Sequence, residues 1–375
     1  MAPIAAPAAP LARPLSLYLD CCRLLAALLV VASHYGPHGA ITRYADGWVP
    51  NLGREAVIVF FVLSGFVIAY ATDYKNPSLR AYAIARATRI YSVALPLLLA
   101  AFAASFALAW CGRVPAQQLY EAAKPWLYVP LHLLFMGELW TISEPPPLLG
   151  PYWSLGYEVW YYVLFGAAFY LRGVRRVLAV GSLLLLVGPK LWLLLPVWAS
   201  GVWLYRWQKA HVIARRTALC GWVASFVLLA VFKLTGSDVF LRMLARESWP
   251  FAALPLRSAD RFLADYVVCL LVLMNFWCAR CAGFAGLLRI ERPIRVLASY
   301  TFTLYLVHAL VMGLWLHLYR HDPRSALDVG ALSLAIAAAT WVVGQLTERR
   351  KHWFEAGFER AAAWVRPVGG ASVVK

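Results

Sequence analysis

The chain has 375 residues, 62% of them hydrophobic and only 14% charged, with a formal net charge of +17. Ordinary soluble domains are about half apolar and carry roughly 25% charged residues, so this composition excludes a large soluble domain. The positive charge does not mark a nucleic-acid binder. The Lys and Arg residues lie in short loops between apolar runs, where they set orientation in a membrane and meet anionic lipid.

Residues 1–14, rich in Ala and Pro, read as a disordered tail. A membrane span needs about 20 apolar residues, and candidates lie near 15–36, 55–72, 90–110, 152–171, 218–234, 262–278, 297–318 and 327–346. The first run is too long for a signal-peptide core and has no convincing cleavage site, so it reads as a retained span. The stretch 177–206 is broken by Gly188-Pro189-Lys190 and reads as two short spans, which brings the total to about ten. The short apolar segment 126–140 carries Glu138 near its end and reads as re-entrant. With that reading and a cytoplasmic N-terminus, inside loops hold the clusters around Arg80, Arg175, Arg206, Arg289 and Arg349, as the positive-inside rule requires. Trp and Tyr, 17 and 19 in number, suit the membrane–water boundary. No repeat or second soluble domain is visible. The fold class expected is therefore an all-α integral membrane bundle over 15–350, with 351–375 as a cytoplasmic tail. Cys21 and Cys22 read as packed thiols. Cys278 and Cys281 have CxxC spacing but no second ligand pair, so no metal site is expected.

Ionisable groups inside spans cost about 2.5–3.5 kcal/mol each on insertion scales, so they are functional or paired. Asp20, Arg23 and His34 share one face of the first helix, and Asp20 can pair with Arg23 at i,i+3. His34 lies about 20 Å from Asp20 along the axis, near the outer end. It can take a proton at working pH or serve as a packed, hydrogen-bonded histidine. Arg86 and Arg89, three apart, can grip phosphate bidentately or anchor the helix at the inner surface. Ser154 and Glu158 share a face at i,i+4, next to Trp153 and followed by Trp160, Tyr161 and Tyr162. Glu158 there suits acid–base work or a structural hydrogen bond. Thr301, Tyr305 and His308 form a polar stripe that faces a cavity or a neighbouring helix.

These residues occur in an order that resembles the acyltransferase 3 family, membrane enzymes that O-acylate bacterial surface sugars. Leu19-Asp20-Cys21-Cys22-Arg23 through Ser33-His34-Tyr35-Gly36 is similar to the family's first-span pattern. Phe60-Phe61-Val62-Leu63-Ser64-Gly65-Phe66 is similar to its second-span signature. Arg86-Ala-Thr-Arg89-Ile90-Tyr91, then Trp153-Ser154-Leu155 with Glu158, then Ser299-Tyr300 through Tyr305 and His308 continue the match, and Thr347-Glu348-Arg349 echoes its C-terminal end. The chain departs from the pattern at Cys21-Cys22, Leu24, Ser92 and Arg350, which leaves the implied catalytic residues untouched. The resemblance implies His34 as catalytic, either a general base or a transient acyl carrier, with Glu158 assisting it. It implies Arg86 and Arg89 as the grip on acyl-CoA, most simply acetyl-CoA, with Asp20, Arg23, Trp153, Ser154, Tyr305 and His308 in support. It also implies no permanently bound cofactor. Expected partners are a carbohydrate acceptor, membrane lipid and polysaccharide-assembly machinery, in a bacterial inner membrane with both termini cytoplasmic.

Three other classes of protein share some of these features. A flippase for a lipid-linked sugar would also have intramembrane charges and broken helices, but needs no acid–base pair beside a donor site. The other large class of membrane O-acyltransferases would make His308 catalytic, but lacks the R-x-x-R and W-S-L-x-x-E elements. A glycosyltransferase would need a D-x-D carboxylate pair, absent here.

Overall fold

The computed structural model of the chain describes residues 11–42, 51–75, 77–113, 124–251 and 254–364. Residues 1–10 of the expected N-terminal tail and 365–375 of the C-terminal tail lie outside them. Among the described residues the elements are helices and turns, with no strand. In chain order they are α1 (Arg13–Tyr35), α2 (Gly53–Tyr74), α3 (Leu79–Trp110), α4 (Pro125–Leu133), α5 (Tyr152–Tyr170), α6 (Gly173–Val187) and α7 (Pro189–Trp207). There follow α8 (Arg215–Leu234), α9 (Ser237–Glu247), α10 (Phe262–Ala282), α11 (Glu291–Ala298), α12 (Thr301–Leu318), α13 (Ala326–Leu346) and α14 (Lys351–Trp364).

Among the described residues, seven helices are long and apolar enough to cross a membrane: α1, α2, α3, α8, α10, α12 and the one that begins at Ala326. The expected count of about ten is not confirmed, for two physical reasons. The 19-residue α5 is rich in Tyr and Trp, so it is less apolar than a lipid-facing span. The pair α6 and α7 turns by 120° at Gly188-Pro189, where Gly188 has a φ of 79°. That backbone favours glycine, and Pro189 supplies no N–H to continue α6. With the bent pair taken as one span, the number of crossing helices is up to eight. Within the segment 126–140, read as re-entrant and not counted among those spans, α4 has nine residues and reaches about 13 Å at 1.5 Å per residue, less than half a bilayer core.

After α4 the chain runs without helix to Pro151, packed inward through Phe135 and Leu139. Hydrogen bonds hold this stretch. Trp160 donates to the Phe135 carbonyl at 3.0 Å, and Tyr152 donates to the His132 carbonyl at 2.9 Å. Lys190 Nζ meets Glu138 at 3.2 Å and also donates to the Ile142 carbonyl. Lys190 and Glu138 are 1% and 4% exposed, so each neutralises a charge that would otherwise be stranded. Breaking such a pair on one side costs about 3–5 kcal/mol. Lys190→Met is therefore expected to lower the temperature at which the detergent-purified protein loses its monodisperse elution peak. Lys190→Met combined with Glu138→Gln is expected to recover much of the loss.

The helices α2 and α7 cross in backbone contact. A Cβ on Gly65 would fall on the carbonyl oxygen of Trp198, and one on Gly201 would fall on that of Val62. Small residues let membrane helices approach to backbone contact. Gly65→Leu or Gly201→Leu forces the helices apart, and overpacking of this kind costs about 1–3 kcal/mol or more. Both variants are expected to lose monodisperse protein on size exclusion, whereas Gly181→Leu, at an open position, is expected to behave as the parent.

α3 has 32 residues, about 48 Å, which exceeds a hydrocarbon core of about 30 Å. The excess length leaves its first turns, with Arg86 and Arg89, free of the need to sit in lipid. Ser78 caps them by accepting from the Ala81 N–H at 3.2 Å. Lys351–Trp364, expected as a tail, is helical and packs on α3, where the Tyr91 and Phe358 rings meet at a tilt, 5.9 Å apart.

Candidate active site

A cavity of about 720 Å³, partly open to the outside, lies among α1, α2, α3, α5 and α12. Three arginines line it: Arg23 from α1 and Arg86 and Arg89 from α3. Ser64, Ser154, Glu158, Tyr162, Thr301 and Tyr305 complete its polar wall. The expected i,i+4 face of α5 is thus present, with Ser154 and Glu158 on the same cavity. The expected Asp20–Arg23 pair is also present, at 3.0 Å. Arg295 takes the other Asp20 oxygen at 3.1 Å, and Arg23 donates to the Ala298 carbonyl.

The cations differ in how far they are satisfied. Arg89 lies in the field of Glu158 and Glu348 and over the Phe302 ring at 5.9 Å. Glu348 is held by the Thr303 hydroxyl at 3.0 Å. Arg86 sits over the Tyr162 ring at 5.9 Å, and its buried Nε has no partner. The Nε of Arg23 is likewise buried without one. Three guanidiniums facing one cavity, two with unspent donors, make a receptor for an anion with several oxygens. Glu158 is committed elsewhere. It accepts from the Ser64 hydroxyl at 2.5 Å and from the Tyr162 hydroxyl, and Trp198 donates to Ser64 at 3.1 Å.

His34 is not among the residues that line this cavity. It lies eleven residues beyond Arg23, about 16 Å along α1. Its ring is 5.0 Å from that of His308 on α12, and 5.5 Å from that of His38. The Nδ1 of His34 is 2.7 Å from the Val30 carbonyl, and that of His308 is 3.0 Å from the Leu304 carbonyl. A carbonyl only accepts, so each Nδ1 carries the proton and each Nε2 keeps its lone pair. The His308 Nε2 is buried and unpartnered.

Tyr305 joins the two halves. It lines the cavity, stands 6.3 Å from His308 ring to ring, and its hydroxyl meets Ser154 at 2.5 Å and donates to the Pro151 carbonyl at 3.2 Å. The structure therefore brings His34 to His308 and Glu158 to the arginines, but does not bring His34 to Glu158. Trp153 lies outside the cavity and stacks under Arg54 at 4.9 Å. The sequence reading missed Ser64, Tyr162 and Glu348 as wall or charge partners. Ser64 was visible as the lone hydroxyl of an otherwise apolar second-span signature, and Glu348 as an acid at the end of an apolar run.

Fold and cavity define a multi-pass membrane protein with a polar, cation-lined centre. Residues 16–344 match the model of the acyltransferase 3 family, described as an acyltransferase domain. The chain belongs to that family and is an acyltransferase for groups other than aminoacyl groups. Among curated proteins and solved structures, none matches the chain.

Proposed function

We propose that the chain transfers an acyl group, most simply acetyl, from acyl-CoA to a hydroxyl of a cell-surface or lipid-linked carbohydrate. One observation carries this reading: a single cavity has three arginines and Tyr305 on its wall, and Tyr305 stands beside the His308–His34 pair. Arg86, Arg89 and Arg23 hold the phosphates of CoA, which approach from the cytoplasm. The pantetheine arm runs along the cavity, and the Tyr305–Ser154 pair separates to admit the thioester toward His34.

His34 Nε2 takes the proton of the acceptor hydroxyl as its oxygen attacks the thioester carbonyl. The C–S bond then breaks, and the CoA sulfur leaves and collects the proton. General-base help of this kind is worth about 10²–10⁴-fold in rate. Glu158 keeps Ser64 and Tyr162 in place on the cavity wall, and its charge balances the arginines when no donor is bound. On this reading the protein sits in a bacterial inner membrane with both termini cytoplasmic, and the acceptor reaches His34 from the outer side.

Mass spectrometry of surface glycans from cells with and without the gene tests the proposal. The expected result is loss of one ester-borne mass in the deletion and its return on complementation with the parent gene but not with His34→Ala. An unchanged ester pattern across all surface glycans overturns it.

A further inference from the structure

Away from this cavity, a lateral groove of about 1010 Å³ runs between α1, α2, α8 and α10. Its walls are apolar, formed by residues such as Leu25, Leu29, Val59, Phe226 and Val272. Leu25 and Phe226 are 59% and 50% exposed, so the groove opens sideways, where the hydrocarbon of a bilayer would lie. Toward the start of α8, Trp222 donates to the Tyr18 hydroxyl at 2.6 Å, and Tyr18 donates to Asn275 at 2.6 Å. His34 is nine residues from Leu25 on α1, half a turn round the helix axis. The groove therefore faces away from the histidine pair.

One carboxylate, Glu55, stands on the groove wall, and it is 4% exposed. Its Oε1 accepts from Lys233 at 3.0 Å and from Arg261 at 3.3 Å. Its Oε2 is buried without a partner, and so is the Nε of Arg261 beside it. Asp238 binds the same two cations, at 2.5 and 3.1 Å, so the cluster holds two acids and two bases and is neutral. An apolar slot thus runs up to a carboxylate with one unused acceptor oxygen, in a neutral setting. A hydroxyl meets that need by donating one hydrogen bond, and it brings no charge to a cluster that is already balanced. A phosphate would face the Glu55 charge, and a bare hydrocarbon would leave Oε2 unpaired.

We propose that the groove binds a membrane lipid, with a hydrocarbon chain between α1, α8 and α10 and an uncharged, hydroxyl-bearing headgroup at Glu55. The site is separate from the cation-lined cavity and does not depend on the acyl-transfer reading.

The test uses the full-length protein in detergent and a long-chain monoacylglycerol carrying a photoreactive diazirine in its tail. A second probe has both headgroup hydroxyls capped as methyl ethers. After irradiation, peptide mass spectrometry is expected to place the label on segments 21–29 and 222–229. The hydroxyl probe is expected to label about tenfold more than the ether, the difference that one hydrogen bond to a charged acceptor makes. Val59→Trp, which fills the groove and leaves Glu55 in place, is expected to remove the label while eluting as the parent does. Glu55→Gln, which keeps one acceptor oxygen, is expected to narrow the preference for the hydroxyl probe. Equal labelling by the two probes, or unchanged labelling of a monodisperse Val59→Trp protein, overturns the proposal.

Discussion

His34→Ala is expected to lower acyl transfer by about 10²–10⁴-fold, the value of general acid–base help, while the yield of folded protein stays near that of the parent. The ring is partly exposed, and its one close hydrogen bond goes to a carbonyl of its own helix, so its removal strips no neighbouring helix of a partner. Binding of acyl-CoA should survive, because the three arginines stand on the far side of Tyr305. The readouts are acyl transfer to acceptor in reconstituted protein and, separately, retention of radiolabelled acyl-CoA. Retained binding with lost transfer supports His34 as the base. Transfer at the parent rate removes His34 from the mechanism. His308→Ala is the informative companion. Its Nε2 is buried and unpartnered against His34, so its loss disturbs the neighbour's position without removing the base and should cost less.

The second large effect concerns the donor. Arg86→Ala is expected to raise the KM for acyl-CoA by about 10–100-fold, with a smaller change in kcat, because a hydrogen bond to a charged group contributes about 1.5–3 kcal/mol. Arg86→Lys should recover only part of this, since an ammonium does not reproduce the planar fork of a guanidinium. Arg86 is the cleaner variant of the pair. Its known contacts are the Tyr162 ring and the cavity, whereas Arg89 also balances Glu158 and Glu348. Arg89→Ala should therefore lose stability as well as affinity, and is best read alongside Arg89→Lys. A KM that is unchanged in both Arg86→Ala and Arg89→Lys would return the R-x-x-R element to its other reading, anchorage at the inner membrane surface.

Much of the bundle was legible in the sequence because apolar length and helical period are local properties. The first helix was expected over 15–36 and runs Arg13–Tyr35; the Asp20–Arg23 pair and the shared face of Ser154 and Glu158 followed from spacing within one helix. The count of crossings did not follow, because composition does not show that the chain turns by 120° at Gly188-Pro189. Arg23 was expected to pair with Asp20 and to support the site, but not to stand beside Arg86 and Arg89. It also lines the cavity, because α1 packs with that face toward α3 and α12.

The residues by themselves determined that this chain belongs in lipid, which of its helices carry charge into the membrane, and which family its motifs match. Only the tertiary structure decided who meets whom. It set His34 against His308 rather than Glu158, joined Tyr305 to Ser154, and buried Lys190 on Glu138 across 52 positions of sequence. The physical reason is that the period of a helix fixes the face a side chain occupies. The neighbour opposite that face is set by crossing angles, and these depend on the packing of many residues together, such as the glycine contact of α2 with α7.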